Sequence, residues 1–105
     1  MSAFPAVVDA IFADNNIGED AIWRPGGVGV GTAVRVIRKS PDKIVGFGDS
    51  RAVMPSALID VRSAEMASPA AGDTVEIDGS LFDIIAEPTA DTLQLVWTCD
   101  ASVRP

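Results

Sequence analysis

The sequence contains no histidine and no tyrosine. Without histidine the commonest general base is missing, and with it the usual catalytic triad and most zinc sites. The single cysteine, Cys99, rules out an intramolecular disulfide; its place in an apolar alternating pattern marks a small buried hydrophobe rather than a reactive thiol. Cations are scarce: eight Lys and Arg against fifteen Asp and Glu give a net charge of −7. Tight binding to DNA or RNA releases counterions by setting Lys and Arg against phosphate. The balance argues against that, though not against a surface that DNA passes without sticking. No run approaches the roughly 20 apolar residues of a membrane helix. The first residues, MSAFPAVVDAIFADNN, have no Lys or Arg ahead of their apolar part and carry Asp9 within it, the reverse of a secretory signal. The expectation is an intracellular, soluble protein with no membrane partner.

What is present describes a globular chain. The apolar fraction of 48% excludes a disordered composition, and 105 residues without an internal repeat suit one domain spanning 1–105. Phe4, Val7, Val8, Ile11 and Phe12 recur at helical spacing, with Pro5 tolerated in the first turn and Asp14-Asn15-Asn16 and Gly18 ending the helix. This stripe is read as packing on its own domain, with docking on a partner chain as the alternative. Ala21 to Arg24 reads as a brief strand stopped by Pro25, and the β-branched Thr32 to Lys39 as a longer one. Residues 40 to 55, SPDKIVGFGDSRAVMP, have no sustained period and read as a long loop, expected to be functional or mobile. Ala57 to Glu65 is a strand with Ile59 and Val61 inward. Val75 and Ile77, the turn Asp78-Gly79, and Phe82, Ile84 and Ala86 predict a hairpin. After a turn at Pro88 to Thr92, Leu93, Leu95, Trp97 and Cys99 alternate along a last strand, with Trp97 in the core. The fold class is therefore mainly β: a small β-barrel or sandwich of five to seven short strands, one short N-terminal helix and a long mobile inter-strand loop.

Four glycines fall within PGGVGVG, residues 25 to 31. The spacing Gly27-x-Gly29-x-Gly31 runs into a strand, not a helix, so it lacks both the dinucleotide fingerprint and a helix terminus for phosphate. Gly26, Gly27, Gly29 and Gly31 are read instead as a flexible connector or interface loop. Asp73, Glu76, Asp78 and Asp83 gather around the hairpin without calcium-loop spacing and read as a solvated turn; Glu19-Asp20 reads as decoration of a turn, and Arg62 with Glu65 as a surface ion pair. Trp23 is either core or an interface anchor. No residue set argues for an enzyme, a metal or a cofactor.

The ordered set SALIDVRSAEM, AGDTVEIDGSLFDIIAEP and LQLVWTCD, most specific between Leu58 and Pro88, resembles the lambda-type phage head–tail joining proteins. These head-completion or stopper proteins occur in siphophages, prophages and gene transfer agents, and the resemblance covers roughly residues 32 to 100. It implies a small non-enzymatic β-barrel whose copies form a ring, six-fold, between the portal or its adaptor and the tail. It also implies partners: further copies of itself, portal or adaptor proteins, tail terminator or tail tube proteins, and DNA passing through the channel. The location implied is the bacterial cytoplasm during assembly, then the head–tail junction of the particle. By position, residues 41 to 53 would be the channel-facing or inter-subunit loop that helps retain DNA, with Pro41, Asp42, Lys43, Gly46, Phe47, Gly48, Asp49 and Arg51 as its site residues. Arg38, Lys39, Lys43 and Arg51 would touch DNA or pair with acidic neighbours. The alternatives are a tail terminator or minor tail ring protein and, in another class, a small ligand-binding β-barrel or enzyme.

Overall fold

The computed structural model describes residues 4–39 and 57–104. Helix α1 (Phe4–Ala13) leads into strands β1 (Glu19–Arg24), β2 (Thr32–Lys39), β3 (Ala57–Arg62), β4 (Thr74–Ile77), β5 (Ser80–Ile84), β6 (Thr89–Ala90) and β7 (Val96–Val103). Six strands close into a barrel in the order β1-β2-β3-β7-β5-β4, with β4 returning to β1. Strand β7 closes the barrel, pairing through Val96–Ala101 with β3 and through Ala101–Val103 with β5. The two-residue β6 runs against Trp97 and Thr98. The loop predicted at 40–55 falls between β2 and β3 and lies outside the described residues.

The period of two in each strand fills the barrel. Registered neighbours point to the same face: Ala21 opposes Val34 and Ile77, Trp23 opposes Val75, and Val36 opposes Val61. On the far wall Ile59 opposes Cys99, and Ala101 lies between Ala57 and Ile84. All of these residues are buried, together with Phe82. Asp78 and Gly79 turn the β4–β5 hairpin with φ of 51° and 82°, the positive values a type I′ turn demands. The Cys99 thiol is inert. Burial first, and then the charges of Asp60, Asp73 and Asp100, push its pKa up to about 12.

Several boundaries differ from the sequence reading. Strand β1 starts at Glu19 rather than Ala21, because Glu19 and Asp20 are not turn decoration but cross-strand partners of Arg38 and Arg35, each at 3.0 Å. Strand β3 stops at Arg62 because the amides of Glu65 and Met66 fold back onto the Arg62 carbonyl at 3.0 Å. Strand β5 ends at Ile84, leaving Ala86 outside it; the Ile85 amide makes a last bond to β7, at the Asp100 carbonyl. Strand β7 starts at Val96, not Leu93. Asp91 accepts from the Leu95 and Val96 amides at 2.7 and 3.2 Å, Gln94 takes a positive φ of 57°, and Leu93 is exposed. Asp91 thereby caps a turn that reads as strand in the apolar pattern.

The glycine loop is less free than its composition suggests. Pro25–Gly27 forms one 3-10 turn, and the loop ends tightly against β1. Gly31 has φ of 82°, and a Cβ there would lie 2.5 Å from Ile22 Cγ2 and 3.1 Å from the Trp23 carbonyl oxygen. Gly31→Ala is therefore expected to cost about 1–3 kcal/mol through left-handed strain and overpacking, read as a lower midpoint in chemical denaturation. An unchanged midpoint would show that the loop can shift away from β1.

Candidate functional site

Two clasps hold the non-barrel segments in place, and both depend on residues distant in sequence. Trp23 sits wholly inside the barrel, so the interface-anchor reading gives way to the core reading. Its indole N–H donates to Asp73 Oδ2 at 2.9 Å, and the same oxygen accepts from the Ala70 amide at 2.9 Å. Asp73 Oδ1 accepts from the Gly26 amide at 2.9 Å. Asp73 is therefore no part of a solvated acidic hairpin: it is a buried carboxylate that ties the glycine loop and residues 70–73 to the core. Glu76 and Asp83 are likewise taken, by Arg24 at 3.0 Å and by a two-pronged contact from Arg104. The hydrogen bonds that Arg104 donates to Asp83 raise the Arg104 pKa. Among the described residues no cluster of acidic or sulfur groups has metal-binding geometry.

The second clasp seats the helix. Arg35 Nε donates to the Phe12 carbonyl at 2.9 Å and its terminal nitrogens reach the Gly18 carbonyl and Asp20 at 3.0 Å, so one guanidinium closes the helix end and the turn after it. The Arg62 guanidinium lies 5.2 Å over the Phe12 ring and bridges Asp9 at 3.0 Å and Glu65 at 2.6 Å. Burial works against the Arg62 charge, but the hydrogen bonds to Glu65 and Asp9 outweigh it and hold its pKa above the usual value. This is a half-buried latch rather than the surface pair its sequence spacing suggests. Arg62→Ala is expected to free α1 while leaving the barrel folded. Amide exchange in residues 4–13 should rise by an order of magnitude or more, as loss of about 1–3 kcal/mol of local stability implies. Unchanged exchange there would mean that Arg35 and Phe12 suffice.

The latch covers only part of the helix. Phe12 is buried and Val8 half-buried, but Phe4, Val7 and Ile11 stay exposed, so packing on the barrel accounts for only one edge of the predicted stripe. The glycine loop presents a second apolar feature, its tip, with Val28 72% and Val30 92% exposed. Of the loop glycines singled out in the sequence, Gly26 and Gly27 lie in the anchored turn, Gly31 is pressed on β1, and Gly29 lies between the two exposed valines. The residues from Pro41 to Arg51 assigned to a channel-facing loop lie outside the described residues.

Charge is arranged one-sidedly. Every described Arg and Lys has a carboxylate partner: Arg24 with Glu76, Arg35 with Asp20, Arg38 with Glu19, Lys39 with Asp60, Arg62 with Asp9 and Glu65, Arg104 with Asp83. Arg38 and Lys39 are thus consumed within the chain. Asp14, Asp73, Asp78, Glu87, Asp91 and Asp100 have no ion-pair partner among the described residues, so the uncompensated charge there is negative.

Two shallow grooves lie among the described residues. One, of about 220 Å³, has an apolar floor at Ala21, Ile22 and Ala33 and carboxylates of Asp20, Glu76 and Asp78 around it. The other, of about 290 Å³, lies at the barrel mouth between Ser63, Ala67, Ala90, Gln94 and Trp97. Trp97 is half-buried there rather than fully in the core, and its indole N–H has no partner among the described residues. Ser63 Oγ is tied to the Gln94 carbonyl at 2.8 Å. No described helix is long and apolar enough to cross a membrane.

Comparison with curated proteins returns no match. A family profile described as Phage Head-Tail Attachment protein matches residues 1–101, so the match takes in the helix, both clasps and most of the closing strand. The match over 101 of 105 residues settles the family: the chain belongs to the phage head-tail attachment family, structural proteins of the head–tail junction.

Proposed function

We propose that the chain is the stopper, or head-completion, subunit of that junction. Copies form a ring, six-fold, between the portal or its adaptor and the tail terminator or tail tube, and DNA passes through the ring or is held behind it. The ring assembles in the bacterial cytoplasm and stays in the finished particle.

The observation that carries this reading is the charge arrangement. Duplex DNA binds proteins that offer unpaired cations; here each described cation is already held by a carboxylate, and the surplus is negative. Such a surface lets DNA slide past and repels it at close range. The only other basic residues are Lys43 and Arg51, in the connection between β2 and β3. Residues 41–53 of that connection are the proposed channel-facing or inter-subunit loop.

Heads filled in the absence of tails test the reading. The chain should sediment with DNA-filled heads and be absent from tails made without heads, and heads lacking it should lose DNA. Recovery on headless tails would make it a tail terminator instead. A saturable rise in melting temperature with a nucleotide or small metabolite would favour a ligand-binding barrel.

A further inference from the structure

Helix α1 and the barrel are separate pieces that meet at a defined seat. The continuous core draws on all six barrel strands, from Ala21 to Ala101, and does not include Phe12, the one buried residue of α1. The barrel is therefore packed without the helix. A ten-residue helix is marginal on its own in water, so α1 depends on the surface beneath it. That surface reads three features of the helix. The Arg62 guanidinium stacks on the Phe12 ring at 5.2 Å and binds Asp9, three residues earlier, at 3.0 Å. Arg35 Nε takes the Phe12 carbonyl at the helix end at 2.9 Å. Glu65 joins the two arginines, accepting from Arg62 at 2.6 Å and from the Arg35 backbone amide at 3.0 Å. The seat thus fits a helix end with a carboxylate three residues before an aromatic ring, and α1 is such a segment.

The chain reverses between α1 and β1 over residues 14–18. The Gly18 amide donates to the Asp14 carbonyl at 2.7 Å, and Arg35 takes the Gly18 carbonyl at 3.0 Å. A Cβ on Gly18 would lie 2.1 Å from the Phe12 carbonyl oxygen and 3.0 Å from its carbon. Both are backbone atoms, which no rotamer change moves away. Gly18 is not among the positive-φ glycines, so its missing side chain serves the close approach of the helix end, not the conformation of the turn. Docking of α1 on its own barrel requires glycine here; docking on another barrel does not. With the turn opened, five residues span up to about 17 Å, enough to carry α1 to an adjoining copy. Every copy offers the same seat and the same helix, which is the basis of domain swapping. In the free chain the short tether gives its own helix a high effective concentration and keeps the closed form.

We propose that α1 is an exchangeable arm: the Arg35–Arg62 seat takes α1 from its own chain or from a second copy, and Gly18 sets the choice toward its own. The seat itself names the second copy as the partner, because the helix it is built to read is α1. This stands apart from the stopper reading and needs no portal, tail or DNA.

Gly18→Ala tests the hinge. The variant should form multimers as its concentration rises, with amide exchange in residues 4–13 at least tenfold slower in the multimers than in the diluted monomer. Adding Arg62→Ala should dissolve them. A monomer at every concentration would overturn the proposal, whether α1 stays docked or swings free, and so would multimers that survive Arg62→Ala. Two charge-exchanged chains test the seat with the native hinge, and do so even if Gly18→Ala misfolds. Asp9→Arg and Arg62→Glu each set like charges against each other across the seat, so neither chain should hold its own α1. Mixed in equal amounts, the arm of each fits the seat of the other. A heteromer should form, and exchange in residues 4–13 should slow at least tenfold relative to either chain alone. Absence of the heteromer, or unchanged exchange in the mixture, would show that the seat takes α1 only within one chain and would overturn the proposal.

Discussion

Asp73→Ala is expected to lower the melting temperature by roughly 15–30 °C. The carboxylate accepts from the Trp23 indole N–H and from the Ala70 and Gly26 amides, all at 2.9 Å, at a site only 4% exposed. Truncation strands the Trp23 N–H in the core and takes the acceptor from the part-buried Ala70 and Gly26 amides; a buried donor without a partner costs about 1–3 kcal/mol, and the two part-buried ones less. The sum, about 3–6 kcal/mol, is a large part of the 5–15 kcal/mol that typically stabilises a domain, and each kcal/mol moves the midpoint by about 4–8 °C at this size. Asp73→Asn separates shape from chemistry. Donors approach both oxygens, so whichever way the amide turns, its NH2 group confronts an N–H, and only part of the stability returns. Trp23→Phe removes one donor and should cost less in the Asp73→Ala background than in the native one. A loss of only a few degrees in Asp73→Ala would show that water replaces the carboxylate.

Val30→Asp is expected to do the opposite: leave the melting temperature nearly unchanged and reduce head–tail joining more than tenfold. Val30 is 92% exposed, and substitutions at such positions usually stay within about 0.5 kcal/mol. If the assembled junction buries this apolar tip, the new carboxylate loses its water without gaining a partner, which costs at least the ~1–3 kcal/mol of an unpaired polar group. In the proposed ring that cost recurs at every subunit. Joining measured by counting tailed particles should fall steeply, while circular dichroism and thermal melting should not change. Normal joining with this variant would show that the valine tip stays in solvent.

The sequence was most readable where local chemistry decides structure. Thr32–Lys39 alternates β-branched residues and forms β2 over that span, and Asp78-Gly79 dictates its own hairpin. It misled where a single side chain overrides the pattern. Leu93 and Leu95 alternate with Trp97 and Cys99 like a strand, but Asp91 captures the Leu95 and Val96 amides and delays β7. Asp73 looks like one more exposed acid of an acidic hairpin, because the partner that buries it, Trp23, lies 50 residues away. The GDT run that carries the family resemblance contains this aspartate, so the motif reflects a structural clasp. The helix stripe was visible in full, but not the half of it that the barrel covers. That depends on Arg62, whose contacts with Asp9 and Phe12 cross most of the barrel in sequence.

A structural joiner is consumed, whereas a catalyst is not, and this separates the account from its rivals most directly. Purified DNA-filled heads lacking the chain, mixed with finished tails and increasing amounts of purified chain, should yield tailed particles in proportion to the chain added. Joining should saturate at a fixed number of copies per head, with those copies retained in the joined particles. Efficient joining without the chain, or by substoichiometric chain that is released afterwards, would contradict the account.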